Sequence, residues 1–257
     1  PWGVGVGTSD ELRIWSQSNY GEDLIFAPRY GGIYYWDASA GTNNRGILLQ
    51  DVFASTDVPV TQHYVLVSDV SRFVFAFGCN ELGSAVQDPM LIRWTDQESV
   101  TNWTPAVTNQ AGSYRLSQGS QIVATIQTRQ EILVFTDVAI YSMQFIGAPY
   151  VWNFQLMGAN ISIVSQNCVA TANNLTFWMG IDKFYVYSGK VDTLSCALRR
   201  DIFDNINTSQ NYQVYGGQNE GFNEIWWFYC SASSNVPDKY VIFNHRYPSS
   251  FSSLTTL

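Results

Sequence analysis

Four aspartates stand where aromatic runs end: Asp37 after IYYW, Asp96 after RWT, Asp137 after LVFT and Asp182 after MGI. Carboxylates gathered from different elements are the chemistry of glycoside cleavage, one serving as acid and the other as base or nucleophile. An aspartate at a strand end also closes turns by accepting bonds from its own backbone two residues on. The turn reading is preferred for all four. The S-x-D-x-G-x-x-W box of sialidase-type proteins is not met by Thr95 to Trp103, which has no glycine at the required place. His63 and His245 are the only two histidines in the chain. Neither stands beside a G-x-S-x-G elbow, so both are expected to be structural or surface residues rather than the base of a nucleophilic triad.

Other chemistry is thinner still. Gly3-Val4-Gly5-Val6-Gly7 has the glycine density of a phosphate loop but lacks the G-K-[ST] ending and the strand-to-helix setting that would aim a helix N-terminus at phosphate. A terminal arm is the better reading. Cys79, Cys168, Cys196 and Cys230 are 89, 28 and 34 residues apart, with no C-x-x-C pair, so free and mostly buried thiols are expected. Trp226-Trp227 and Tyr34-Tyr35-Trp36 could stack on sugar rings. Neighbours in a strand point to opposite faces, however, and covered sheets bury both, so these aromatics are expected in the core. Arg199-Arg200 is read as surface charge on a helix. The sequons at Asn102, Asn160, Asn174 and Asn207 would matter only in a secretory pathway, for which nothing else argues. No catalytic, cofactor-binding or metal residue is assigned, and neither a cofactor nor an enzymatic activity is expected.

The elements that would carry these residues recur. Three short β-rich runs follow one another five times, near residues 12–37, 64–96, 121–145, 164–189 and 212–244. The first begins Leu12 to Gln17, Asp23 to Ala27 and Ile33 to Asp37. The fourth runs Val164 to Ala172, Leu175 to Gly180 and Lys183 to Gly189. The fifth runs Tyr212 to Gly217, Glu224 to Cys230 and Lys239 to Asn244. Leu24, Phe73, Ile132, Leu175 and Ile225 mark equivalent points, spaced by 49, 59, 43 and 50 residues, in the range of propeller and solenoid repeats. Val, Ile, Tyr, Phe and Trp suit a pleated, half-buried surface, and Gly, Asn, Asp, Ser or Pro bound each run. Gaps of roughly 15 to 30 residues leave room for a fourth, outer strand.

An all-β β-propeller follows, with five recognisable blades and six expected in the complete protein. It forms a single domain over residues 1–257 that is expected to be truncated at one or both ends, since the tail from Arg246 to Leu257 shows no blade pattern. An ordinary β-sandwich is the alternative. One segment breaks the rhythm: Leu198, Ile202, Phe203 and Ile206 fall on one helical face, predicting a short helix within Ala197 to Asn207 that packs on its own blades.

Composition narrows function by exclusion. Apolar residues make up 46% of the 257 and charged residues 13%, giving ample core and a quiet surface. A net charge of −8, from 13 basic and 21 acidic residues, argues against gripping nucleic acid through its phosphates. An acidic wall would instead let DNA slide without being trapped. No run of 18 apolar residues predicts membrane insertion.

Several strings resemble a known family: Arg13 to Asp37, Arg93 to Pro105, Asn174 to Gly189, Cys196 with the helix ending at Asn207, and Asn223 to Asn244. Over about residues 12–244 the chain is similar to the tail nozzle family of short-tailed double-stranded DNA phages, also called tail tubular protein B or packaged-DNA stabilisation proteins. The resemblance implies a non-enzymatic virion protein at the portal vertex, assembled in the host cytoplasm. It implies a homo-oligomer, a six-fold ring beneath portal and adaptor, that extends and gates the channel through which DNA passes without specific binding. A propeller that binds or cleaves host-surface glycans is the alternative.

Overall fold

The computed structural model describes residues 13–246 and, for the backbone, 251–255. Leu12, the glycine arm at 3–7 and the ends of the tail, 247–250 and 256–257, lie outside the described residues. The described chain forms five antiparallel sheets, each made of four strands consecutive in sequence. Blade 1 comprises β1 (Trp15–Tyr20), β2 (Asp23–Pro28), β3 (Tyr34–Trp36) and β4 (Ile47–Leu48). Blade 2 comprises β5 (Tyr64–Val67), β6 (Val74–Phe77), β7 (Leu91–Trp94) and β8 (Gly112–Arg115). Blade 3 follows with β9 (Ile122–Gln127), β10 (Ile132–Thr136), β11 (Ala139–Gly147) and β12 (Val151–Ala159). Blade 4 has β13 (Val169–Ala172), β14 (Leu175–Met179), β15 (Phe184–Tyr187) and β16 (Val191–Leu194). Blade 5 has β17 (Tyr215–Asn219), β18 (Glu224–Tyr229), β19 (Lys239–Asn244) and β20 (Phe251–Thr255). This is a five-bladed β-propeller arrangement, with the first strands of blades 1, 2 and 3, and those of blades 4 and 5, side by side near the axis.

The repeated aromatic runs are the central strands, and the gaps between repeats hold the outer ones. Outer strands pair on one edge only, and two of them, GSYR in β8 and VDTL in β16, carry polar residues and lack the apolar signal of the inner three. The same reason corrects the reading of the tail. Residues 251–255 complete blade 5, pairing β20 with β19 from Lys239↔Thr255 to Phe243↔Phe251. The start of two runs is corrected too. Blade 4 begins at Val169 rather than Val164, and blade 5 at Tyr215 rather than Tyr212, because Thr208–Gln213 winds into 3-10 turns.

Local sequence sets the turns. Asn173 and Asn174, with φ of 49° and 62°, make the two-residue link between β13 and β14, where asparagine tolerates a left-handed backbone that matches the twist of the hairpin. The predicted helix is shorter than its pattern: α1 spans Arg199–Phe203, and Ile206 instead bridges to Ser231. Ile202 is buried, and the Phe203 ring lies 5.3 Å from Phe184, so the segment packs on its own blades.

Blades are held by side chains that interleave between sheets. Every residue of β6 is buried, because blades 1 and 3 cover its two faces: Val74 and Ala76 join Ile25 and Val65, while Phe75 and Phe77 join Val134 and Trp152. The Phe75 ring meets the Trp152 ring edge to face at 5.0 Å. Blades 3, 4 and 5 share one cluster, in which Phe135 meets Trp178 at 5.0 Å and Phe184 meets Trp227 at 4.9 Å. Each fully buried aromatic of this kind is worth about 1.5–3 kcal/mol of transfer energy.

The end blades differ. On β18, Ile225, Trp227 and Tyr229 point into blade 4, whereas Trp226 and Phe228 on the opposite face are half-buried, Trp226 stacked on Tyr240 and Phe228 tilted against it. Blade 1 mirrors this: Ile25 and Ala27 face blade 2, while on the other side Phe26 stacks with Tyr34, and Trp15, 53% exposed, tilts against Phe26. The expectation of core holds for Trp227, and for Tyr35, which packs against the cluster between blades 1 and 2, and is corrected for Trp226, Tyr34 and Trp36. It assumed a covering blade on both faces, and among the described residues no apolar cluster joins blade 5 to blade 1.

Candidate functional site

Antiparallel order decides which strand ends can meet. The start of each first strand and the turn between second and third strands lie on one face of the disc. The turns joining first to second and third to fourth strands lie on the other. Asp137 and Asp182 follow the second strands of their blades, and Asp37 and Asp96 follow the third. The four aspartates are thus split two and two across opposite faces, so neither Asp37 nor Asp96 can act with Asp137 or Asp182 on one substrate.

Each is occupied locally. Asp37 accepts from the Ser39 backbone N–H at 2.8 Å and its hydroxyl at 2.6 Å, and these bonds hold its carboxyl below the usual range. Asp96 accepts from the N–H groups of Gln97 and Gln110, both at 2.9 Å. Asp182 pairs with Arg199 at 2.9 Å, which places Arg199 on the surface, as expected. Asp137 accepts from the Ser120 N–H at 2.8 Å and hydroxyl at 2.6 Å. Burial raises the Asp137 pKa, but the bonds from Ser120 and the backbone outweigh it and the net shift is downward.

A prediction attaches to Asp137. A carboxyl lowered on folding adds stability that is complete above its unfolded pKa of about 3.9 and is lost as pH falls through the lower folded value. Asp137→Asn is expected to cost about 1 kcal/mol near neutral pH. It should also flatten the decline in urea midpoint below pH 4, and an unchanged acid limb would contradict this role.

The other candidates are also structural. His63 is buried, its Nδ1 lies 3.1 Å from the Ile122 carbonyl oxygen, and its ring meets Tyr30 edge-on at 5.0 Å. His245 stacks on Phe177 on the opposite face of the disc, and burial lowers its pKa. All four cysteines are free, and Cys79, Cys168 and Cys230 are buried, as expected. Burial pushes the Cys79 thiol up to about 12, far from a reactive thiolate. Among the described residues no group of three or more His, Cys, Asp or Glu could hold a metal ion, and no helix is long and apolar enough to cross a membrane.

Two cavities open at the ends of the axis, and neither was marked in the sequence. One, of about 380 Å³, is lined by Ile14, Arg29, Asp137, Gln166 and Asn211 among others. The Gln166 Nε2 and Asn211 Oδ1 atoms are buried there without a protein partner. The other, of about 440 Å³, is bordered by Asp69, Arg129, Asn173, Gln218 and Glu220. Apart from Asp137, nothing in the local sequence distinguishes these polar residues from other loop positions. What brings them together is the radial packing of the blades.

No family model and no curated protein matches the chain. Solved structures do. Hsv2 of Kluyveromyces lactis superposes with a TM-score of 0.52 at 10% identity, over 94% of this chain and 62% of that one. An extracellular domain from B. thetaiotaomicron gives 0.54 at 7% identity, covering 99% and 29%, and the dihydro-heme d1 dehydrogenase NirN in complex with DHE gives 0.53 at 12%, covering 95% and 46%. The chain spans less than two thirds of each of these proteins. At such identities the likeness is one of fold alone, and it agrees with the β-propeller that the strands build.

Proposed function

We propose that this chain is a structural subunit of a phage tail, the nozzle ring beneath portal and adaptor that extends and gates the DNA channel. The observation that carries the reading is the use of the strand-end carboxylates: split two and two across opposite faces, each is bonded to protein groups, Asp37 to Ser39, Asp96 to the Gln97 and Gln110 N–H groups, Asp137 to Ser120 and Asp182 to Arg199. The resemblance of the strings between Arg13 and Asn244 to the nozzle family supports that place. Neither axial cavity could pass a duplex whose major groove alone is about 12 Å wide. DNA would instead run through the centre of a ring of copies, past a surface whose negative charge repels phosphate. The protein would reside in virions, contact DNA without sequence preference and insert in no membrane. Native mass measurement of the chain with its portal and adaptor, and imaging of virions, test this. A closed six-copy ring is expected, and a strict monomer absent from virions would sink the reading. The half-exposed rings of Trp226 and Trp15 favour glycan binding as a second reading, which a positive glycan array would support.

A further inference from the structure

The third and fourth strands of blade 3 run past the rest of their sheet. β10 pairs with β11 only from Ile132↔Met143 to Phe135↔Ile140, so beyond Met143 the strand β11 pairs with β12 alone. This two-stranded overhang stands on the face that carries the turns between first and second strands, and its tip is apolar: Ile146 is 53% exposed and Tyr150 78%. Beside it a cleft of about 230 Å³ opens between blades 2 and 3, lined by Ile132, Met143, Phe145 and Trp152 and edged by Val70, itself 85% exposed. Trp152 gives the cleft its chemistry. The residue is 6% exposed, its ring meets those of Phe73 and Phe75 at 5.5 and 5.0 Å, and its indole Nε1–H has no acceptor among the described residues. A buried donor without an acceptor is costly, so an occupant that supplies one is held by it.

Two charged residues border the same cleft. The Glu131 carboxylate accepts from the Ser142 hydroxyl and the Gln144 amide of its own blade, whereas Arg129 forms no ion pair and no side-chain hydrogen bond among the described residues. The charge left for a ligand is positive. We propose that this cleft docks a partner protein through one apolar side chain followed by a carboxylate. The side chain fills the cleft, the partner's backbone carbonyl accepts from the Trp152 indole, and the carboxylate meets Arg129. Phe145, half-exposed with its ring 5.4 Å from that of Trp152, is placed to swing aside and admit the carbonyl, a rotamer change common on binding. The cleft is smaller than the roughly 300–1,000 Å³ of small-molecule sites, and a small molecule would leave Val70, Ile146 and Tyr150 uncovered. A protein surface covers anchor and rim together, as at an interface hot spot. The inference rests on this cleft and is independent of the role proposed above.

The test follows the indole N–H resonances of the 257-residue chain labelled with 15N-tryptophan, the Trp152 signal being identified by its loss in Trp152→Phe. Three probes are compared. N-acetylphenylalanine carries ring, carbonyl and carboxylate, its primary amide lacks the charge, and N-acetylglycine lacks the ring. The Trp152 resonance should shift saturably with N-acetylphenylalanine, at a dissociation constant of about 1 mM. The primary amide should bind about threefold more weakly, and N-acetylglycine should leave the resonance in place. Arg129→Gln should abolish the difference between acid and amide while keeping the shift. The proposal is overturned by the absence of a saturable shift, by a shift shared equally among the indoles, by acid and amide binding alike in the parent chain, or by a difference that survives Arg129→Gln. A Trp152 resonance that moves when the chain alone is concentrated would give the cleft to a second copy, and sedimentation with phosphatidylcholine vesicles would give the overhang to a membrane; either also overturns it. Failure of the ring to assemble would not bear on any of these.

Discussion

Trp227→Ala is expected to destabilise the protein by about 3–5 kcal/mol, whereas Trp226→Ala, one residue away, should cost only about 1 kcal/mol. Trp227 is fully buried at the junction of blades 4 and 5. Its indole N–H donates to the Cys168 carbonyl at 2.8 Å, and its ring packs on Phe184. Truncation would open a cavity that Gly216, pressed against the Cys168 backbone, cannot fill, and would leave that carbonyl without its indole donor. Trp226 loses only a half-exposed stack and a 3.0 Å bond to Glu224. Urea unfolding of both variants checks the contrast. Equal losses would mean that the two faces of β18 are equally covered, which would contradict the open face of blade 5.

The second large effect concerns a buried cation. Arg93, in β7, is 3% exposed and, among the described residues, forms no ion pair within 4 Å. Its guanidinium donates instead to the backbone oxygens of Asp57 at 2.6 Å and Asn80 at 3.3 Å, tying the link between blades 1 and 2 to the end of β6. Burial lowers its pKa, although it stays charged at any ordinary pH. Arg93→Ala removes both donors and strands two carbonyls in a void, for an expected loss of about 3 kcal/mol. Arg93→Lys should recover little, because one ammonium cannot span both oxygens. A thermal melt of the alanine variant within a degree or two of the parent would refute this account.

Much of the architecture was legible because propeller strands write it in the side chains. RFVFAF, EILVFTD and LTFWMG are apolar on both faces, and the structure places each between two other sheets or at a covered junction. Polar strands were not legible. GSYR of β8 and FSSLT of β20 read as loop or tail, since an edge strand facing water on one side needs no apolar pattern. The turn role of Asp37 could be read from an Asp two residues before Ser39 at a strand end, whereas the bonds from Ser120 to Asp137 span 17 residues, and the separation of the two onto opposite faces depends on strand direction, which composition does not encode. Arg93 gave no signal either: within LIRW it reads as an outward-facing residue, and only the neighbouring backbone oxygens explain its burial.

Each sheet consists of four successive strands, and none of the described sheets borrows a strand from the other end of the chain. Its pairings therefore close over short stretches of sequence, which favours fast formation. A blade can finish as soon as its fourth strand leaves the ribosome and then serve as the template on which the next one condenses, so synthesis itself orders the assembly. The same locality makes unfolding directional. With neighbour-only contacts the stack resembles a linear array, in which blades 2, 3 and 4 are clamped from both sides and the terminal blades come undone first.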